Sequence, residues 1–182
     1  MLLNTPPCEL GRQAPDFLLE DTDSKSFKMS DHLSGKGLLL AFICNHCPYV
    51  QAICDRFTRD AHALIDDGFE VLAIMPNDYD KVSEDSPSNM KLFATKFGFR
   101  FPYLVDRGQK VAAAYGAVCT PDFFGLCASG KLYYRGRLDN IGMNDISSNR
   151  VPELFNAMHH IYKTGYGPRV QHPSMGCSIK WS

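Results

Sequence analysis

Residues 38–43 read Leu-Leu-Leu-Ala-Phe-Ile, an apolar run with no polar break. A strand with one wet face alternates apolar and polar side chains, whereas this run offers both faces to a core. It predicts a central strand covered on both sides, and so a sheet with helices packed above and below it. Directly afterwards the period changes. Val50, Ile53, Cys54, Phe57, Ala61, Leu64 and Ile65 recur at spacings of three and four, which is one face of a helix.

Cys44-Asn45-His46-Cys47-Pro48 occupies the junction of that strand and helix. A thiolate near a helix start feels the positive end of the backbone dipole, so its pKa falls and it becomes a nucleophile near neutral pH. With Asn45 as N-cap, Pro48 falls in the first turn, where a missing N–H is harmless. On that reading Cys44 lies just before the helix with its sulfur exposed, and Cys47 is the more buried of the two. Cys44 attacks a disulfide, and Cys47 resolves the mixed disulfide. His46, carrying partial positive charge beside the pair, stabilises the thiolate of Cys44. Stabilising the reduced form makes the disulfide more oxidising. The strand ahead of the pair holds no acidic residue, so no buried carboxylate is evident there.

Seven cysteines, an odd number scattered over 182 residues, do not resemble a disulfide framework. The N-terminus lacks a basic region and a long apolar segment, so a reducing cytoplasmic setting is the expectation. There a Cys-x-x-Cys is catalytic or metal-binding rather than a static bridge. A structural zinc site wants a second closely spaced pair, and none exists. With 19 basic and 20 acidic residues, the charge balance gives no case for nucleic acid or an anionic membrane.

The remaining pattern is that of one α/β domain spanning 1–182 with a mixed sheet. Expected strands are 14–19 and 26–29 as an N-terminal hairpin, 71–75, 103–105, 122–127 and 131–138. Expected helices are 89–97, 109–115 and 151–163, the last with Leu154, Phe155, Met158, Ile161 and Tyr162 inward. Gly68, Gly98 and Gly116 stand where helices end. The tail 165–182, rich in Gly, Pro and Ser, reads as irregular. Cys54, Cys119 and Cys127 read as packing residues. Cys177 is open between packing, capping the site and pairing with another cysteine.

Ala14-Pro15-Asp16-Phe17, Cys44-Asn45-His46-Cys47-Pro48-Tyr49-Val50 and Gly176-Cys177-Ser178-Ile179-Lys180-Trp181 together resemble the thioredoxin-fold superfamily. Within it the resemblance is to the redoxin branch of alkyl hydroperoxide reductase/thiol-specific antioxidant (AhpC/TSA, peroxiredoxin-like) proteins. It implies a thioredoxin fold, a catalytic Cys44, a resolving Cys47, and a cis Pro121 facing them. It also implies that the backbone of Thr120 pairs with an extended substrate segment. The Pro-x-x-x-Thr/Ser-x-x-Cys pattern of peroxiredoxins is absent. Counted from Cys44 the slots hold Gly37 and Ala41, and counted from Cys47 they hold Leu40 and Cys44. The expected function is thiol-disulfide exchange on protein or small-molecule disulfides. A thioredoxin or glutathione system restores the dithiol, and no bound cofactor is required. A thiol peroxidase, or a soft-metal binder using Cys44, Cys47 and His46, is the alternative.

Overall fold

The computed structural model describes residues 1–33, 35–144 and 149–182. In chain order the elements are β1 (Leu2–Asn4), β2 (Leu18–Asp21), β3 (Ser26–Lys28), β4 (Leu38–Phe42), α1 (Pro48–Asp66), β5 (Glu70–Met75), α2 (Pro87–Phe97), β6 (Tyr103–Val105), α3 (Lys110–Tyr115), β7 (Cys119–Thr120), β8 (Asp122–Leu126), β9 (Leu132–Gly136), α4 (Glu153–Thr164) and β10 (Met175–Ser178).

The apolar run becomes β4, buried at every position and central in a sheet ordered β3-β2-β6-β5-β4-β8-β9. It runs parallel to β5 and antiparallel to β8, so the sheet is mixed. Successive side chains of β4 enter different cores. Leu39, Ala41 and Ile43 pack with Val50, Phe57 and Leu64 of α1 and with Leu154 and Met158 of α4. Leu38, Leu40 and Phe42 pack on the opposite face with Val111, Ala112 and Tyr115 of α3 and with Phe17 and Met29. Each such large side chain contributes about 1.5–3 kcal/mol on burial. The result is an α/β thioredoxin-like fold with helices on both faces of the sheet. No helix among the described residues is long and apolar enough to cross a membrane.

Glycine closes two helices as expected. Gly98 (φ 66°) and Gly116 (φ 66°) take the left-handed conformation that caps α2 and α3. The N-terminal hairpin exists, but its first strand starts at Leu18 rather than Ala14, because Phe17 turns into the second core. On α4, Tyr162 points outward and is 53 % exposed; Ala157 takes the inward place.

The largest departure is at the C-terminus. The tail is irregular over 165–174 and 179–182, but not throughout. Met175–Ser178 forms β10 at the centre of a second, antiparallel sheet, between β1 and β7. Its composition (Met-Gly-Cys-Ser) carries no alternating signal, so the strand exists because its partners hold it. Leu2 pairs with Cys177 on one side and Thr120 pairs with Cys177 on the other.

Candidate active site

The loop from β4 to α1 brings both cysteines to the carboxyl edge of the sheet. Cys47, not Asn45, is the N-cap of α1, with extended backbone angles (φ −71°, ψ 121°), and Pro48 begins the helix. Asn45 lies too early to cap. Its side-chain amide donates to the Glu84 carbonyl at 2.9 Å, and its amide oxygen accepts from the Tyr103 hydroxyl at 3.0 Å. Its own carbonyl accepts from Gln51 at 2.7 Å. The effect of Asn45 is therefore to brace the loop rather than to start the helix.

The Thr120-Pro121 peptide is cis and faces the pair. The Thr120 hydroxyl lies 3.1 Å from the Cys44 sulfur, and the Cys47 thiol donates to the Thr120 carbonyl at 3.3 Å. Thus Thr120 and Pro121 meet Cys44 and Cys47 from the facing loop. Both sulfurs are enclosed: Cys44 and Cys47 each have 0 % of their surface exposed. The expectation of a solvent-exposed Cys44 is corrected. Strand β10, invisible to local pattern, pairs with Thr120 at the edge of the site.

The two thiols do not share the proton evenly. Cys44 is pushed well above the usual thiol range, first by the hydrogen bond it makes to Cys47, then by burial and by the negative charge of Asp85. Cys47 is lowered, first by that same bond from Cys44, against burial, and further by the thiol and backbone N–H of Cys177. The N–H of Val50 at the start of α1 also faces the Cys47 sulfur, without closing a formal cap hydrogen bond. The lowered thiol of the pair is thus Cys47, at the helix start, and the raised one is Cys44.

A carboxylate does serve this site, and it comes from far along the chain. Asp85 ends a short 3₁₀ turn at Ser83–Asp85 and is fully buried. It accepts from the backbone N–H of Asn45 (2.8 Å), the backbone N–H of His46 (3.3 Å) and the side chain of Asn77 (2.7 Å). His46 Nδ1 pairs with its second oxygen at 2.7 Å. Burial alone would raise Asp85, but the bonds from His46 and Asn77 outweigh it and hold the carboxyl below its ordinary range. In return the bond to Asp85 raises His46, against a smaller opposing effect of burial. The positive charge of His46 is therefore largely answered by Asp85. Its effect on the sulfurs is that of an ion pair, weaker than the free imidazolium expected from sequence. Asp85, Asn77 and Tyr103 carried no local signal, since they reach the motif only through tertiary contact.

Ligand atoms of Cys44, His46 and Asp85 lie within 4.8 Å of one another. Two of them already satisfy each other in the 2.7 Å His46–Asp85 bond. An ion there would have to break that bond, which weakens the soft-metal alternative. Cys54 and Cys119 are buried, and burial drives each thiol up to about 12, as befits packing residues. Cys127 is half-buried and bonds Ser129 at 3.1 Å, so it sits at the hairpin edge rather than in the core. Beside the cis peptide a cleft of about 380 Å³ opens, lined in part by Tyr49, Ile53, Pro121, Phe123 and Met175.

A dithiol at a helix start, facing a cis proline on a thioredoxin-like sheet, defines a redoxin-class protein. The AhpC/TSA family model matches residues 10–135. The chain belongs to the AhpC/TSA family. A crystal structure of an uncharacterized conserved protein from Geobacillus kaustophilus superposes with a TM-score of 0.88 at 37 % identity, covering 100 % of this chain and 97 % of that one. A hypothetical protein from Sinorhizobium meliloti 1021 gives 0.89 at 33 % identity, with 98 % of each chain covered. Among curated proteins, the thiol-disulfide oxidoreductase ResA of Geobacillus thermodenitrificans is 31 % identical over 130 residues, 68 % of this chain and 66 % of that protein. ResA of Bacillus anthracis is 28 % identical over 131 residues, 68 % of this chain and 67 % of that protein. The chain is a distant homologue of these oxidoreductases.

Proposed function

We propose that the protein is a thiol-disulfide oxidoreductase whose Cys44 and Cys47 cycle between dithiol and disulfide. The observation that carries the reading is the placement of two sulfurs together at the start of α1, facing the cis Thr120-Pro121 peptide. Cys47 is the attacking thiolate in this scheme. It opens a substrate disulfide and forms a mixed disulfide, releasing one substrate thiolate. Cys44 then attacks the Cys47 sulfur, giving the Cys44–Cys47 disulfide and the second substrate thiol. Thr120 and Cys44 act together here, because the Thr120 hydroxyl lies beside the Cys44 sulfur that must surrender its proton. His46 and Asp85 hold the loop and fix the charge beside it. The substrates are protein or small-molecule disulfides. We place the exchange in a reducing cytoplasm, where a thioredoxin- or glutathione-type reductant restores the dithiol. The homology to ResA proteins and the AhpC/TSA membership support this chemistry.

Insulin reduction with dithiothreitol as the electron source tests the reading. Wild type should accelerate it, Cys47→Ser should abolish the acceleration, and Cys44→Ser combined with Cys177→Ser should trap mixed disulfides on Cys47. Equal turnover in all three proteins would overturn it. A stoichiometric metal in protein purified without chelator would overturn it in favour of ion binding.

A further inference from the structure

The edge of β7 is the place where the resemblance puts an extended substrate, and the chain fills it with its own C-terminal strand. Cys177 of β10 pairs in register with Thr120, and Ser178 pairs with Cys119. The fit is close. A Cβ at Gly176 would drive into the Thr120 carbonyl, so only glycine lets β10 approach to pairing distance there. The strand is anchored at both ends. The Ser174 hydroxyl donates to the Pro121 carbonyl at 2.6 Å, and the Ser174 N–H donates to the Thr5 hydroxyl at 3.0 Å. Beyond Cys177, the Ile179 N–H donates to the Val118 carbonyl at 2.9 Å, and the Lys180 N–H donates to Asn77 at 2.9 Å. Asn77 in turn bonds Asp85, so the tail and the catalytic loop share one network.

This placement sets Cys177 among the active thiols. It packs against the core cluster that contains Cys44 and Cys47, and β10 contacts α1. Cys177 is half-buried, whereas Cys44 and Cys47 are enclosed. We propose that β10 is a tethered internal substrate and Cys177 a third redox thiol, which moves the disulfide from the enclosed Cys44–Cys47 pair to a more accessible Cys47–Cys177 bond. The proposal rests on the thiol-disulfide reading of the same site.

The step is balanced. The Cys177 sulfur attacks the Cys47 sulfur of the Cys44–Cys47 disulfide. The Cys47–Cys177 bond forms, the Cys44–Cys47 bond breaks, and Cys44 leaves with the proton that Cys177 gives up. No electrons enter or leave. An external thiolate then attacks the half-buried Cys177 sulfur, and Cys47 departs as thiolate. A low-pKa thiol is the better leaving group, which suits Cys47 to that place. In the reduced protein Cys177 is raised, by burial first and then by the Cys47 sulfur beside it. Once Cys47 is locked in a disulfide its negative charge is gone, so Cys177 becomes easier to ionise when the step requires it.

The test is disulfide mapping of the full chain after diamide oxidation and acid quench. Trypsin places Cys44, Cys47 and the buried Cys54 together in peptide 37–56 and Cys177 in peptide 170–180. Cys44→Ser should yield these two peptides joined, and Cys44→Ser/Cys47→Ser should lose the joined species. Cys177→Ser should form the internal disulfide of peptide 37–56 normally but be re-reduced by glutathione at least tenfold more slowly than wild type. If oxidised Cys44→Ser keeps Cys177 as a free thiol, or if Cys177→Ser is re-reduced at the wild-type rate, the relay is refuted. These results are separate from the parent reading. A wild type that forms neither the Cys44–Cys47 nor the Cys47–Cys177 disulfide refutes thiol-disulfide exchange itself. A wild type that forms the Cys44–Cys47 disulfide, with no link to peptide 170–180 in Cys44→Ser, refutes only the relay.

Discussion

Replacing Asp85 with Asn isolates the carboxylate that organises the catalytic loop. The side chain keeps its shape and loses its charge and one acceptor. Asp85 now accepts from the Asn45 and His46 backbones through one oxygen, and from His46 Nδ1 and Asn77 through the other. In Asp85→Asn the amide oxygen retains the backbone pair. The amide NH₂ then faces two former donors. His46 can meet it only as neutral imidazole with an unprotonated Nδ1. Asn77 cannot turn its oxygen toward it without abandoning the Lys180 N–H. The loss is one charge-assisted bond of about 1.5–3 kcal/mol plus one buried amide left unpaired at about 1–3 kcal/mol. A destabilisation of about 3–5 kcal/mol follows at pH 5.5.

The pH dependence has a defined sign. His46 is raised above its unfolded value of 6.5 in the folded protein. Its contribution is therefore complete below pH 6.5 and is lost as pH rises through the raised value. The gap between wild type and Asp85→Asn should narrow across that window and be smaller at pH 8.5 than at pH 5.5. Urea unfolding at the two pH values measures the gap. Proton NMR of the His46 ring measures its titration, which should fall below that of wild type. An unshifted His46 titration, or a gap at pH 5.5 under about 1 kcal/mol, would refute the ion pair as the organiser of the loop.

Three further outcomes follow from the same geometry. His46→Asn leaves the buried Asp85 charge without its partner, which raises the neighbouring thiols and makes the disulfide less oxidising, by about 30 mV for each 1.4 kcal/mol of differential stabilisation; equilibration with glutathione buffers reads the shift. Gly176→Ala forces β10 off the Thr120 carbonyl, so alkylation of peptide 37–56 by iodoacetamide should quicken about tenfold, equivalent to 1.4 kcal/mol of local opening. Arg56→Leu removes one of two guanidinium partners from Asp139 (Arg56 Nε at 2.8 Å, Arg150 Nε at 2.7 Å), and chemical unfolding should show a loss of about 3 kcal/mol with thiol reactivity of the folded protein unchanged.

The sheet was legible where one residue pattern had one physical outcome. An unbroken apolar run could only be β4 between two cores, and glycine after a helical period marks αL termination at Gly98 and Gly116. The dithiol and the helix beginning beside it were legible for the same reason, whereas the facing Thr120-Pro121 was implied by the family resemblance alone. What escaped the sequence lies in partners brought from a distance. Asp85 reaches the loop across 40 residues, and nothing in Ser83-Glu84-Asp85 distinguishes a buried acceptor from a solvated turn. Cys44 precedes the helix and so reads as exposed; Thr120 and the buried Asp85, both brought from distant segments, lie beside it in the fold. The opposed shifts of the two thiols come first from the hydrogen bond between them, and these distant groups add to it, Asp85 raising Cys44 and Cys177 helping to lower Cys47.

The position of β10 decides how an enclosed dithiol can turn over at all. One route lifts the strand to admit substrate beside Thr120. It breaks the bonds from Ser174 to Pro121, Ile179 to Val118, Lys180 to Asn77 and Asp78 to the Lys180 carbonyl. At about 1 kcal/mol net for each bond, opening costs about 4 kcal/mol before the burial of Ile179 is considered. An open state that rare weakens apparent substrate affinity by about a thousandfold. Ile179 is 3 % exposed, and pulling it from the second core adds roughly 1.5–3 kcal/mol more. Re-reduction through Cys177 avoids this penalty, because the strand stays paired and only sulfur atoms change partners. The anchors that make displacement expensive are the same ones that hold Cys177 beside Cys47, so the stronger they are, the more the relay is favoured over the open edge. Loosening them by Gly176→Ala should accordingly raise direct alkylation of the pair while slowing transfer to Cys177, two effects of opposite sign that a merely structural tail would not produce.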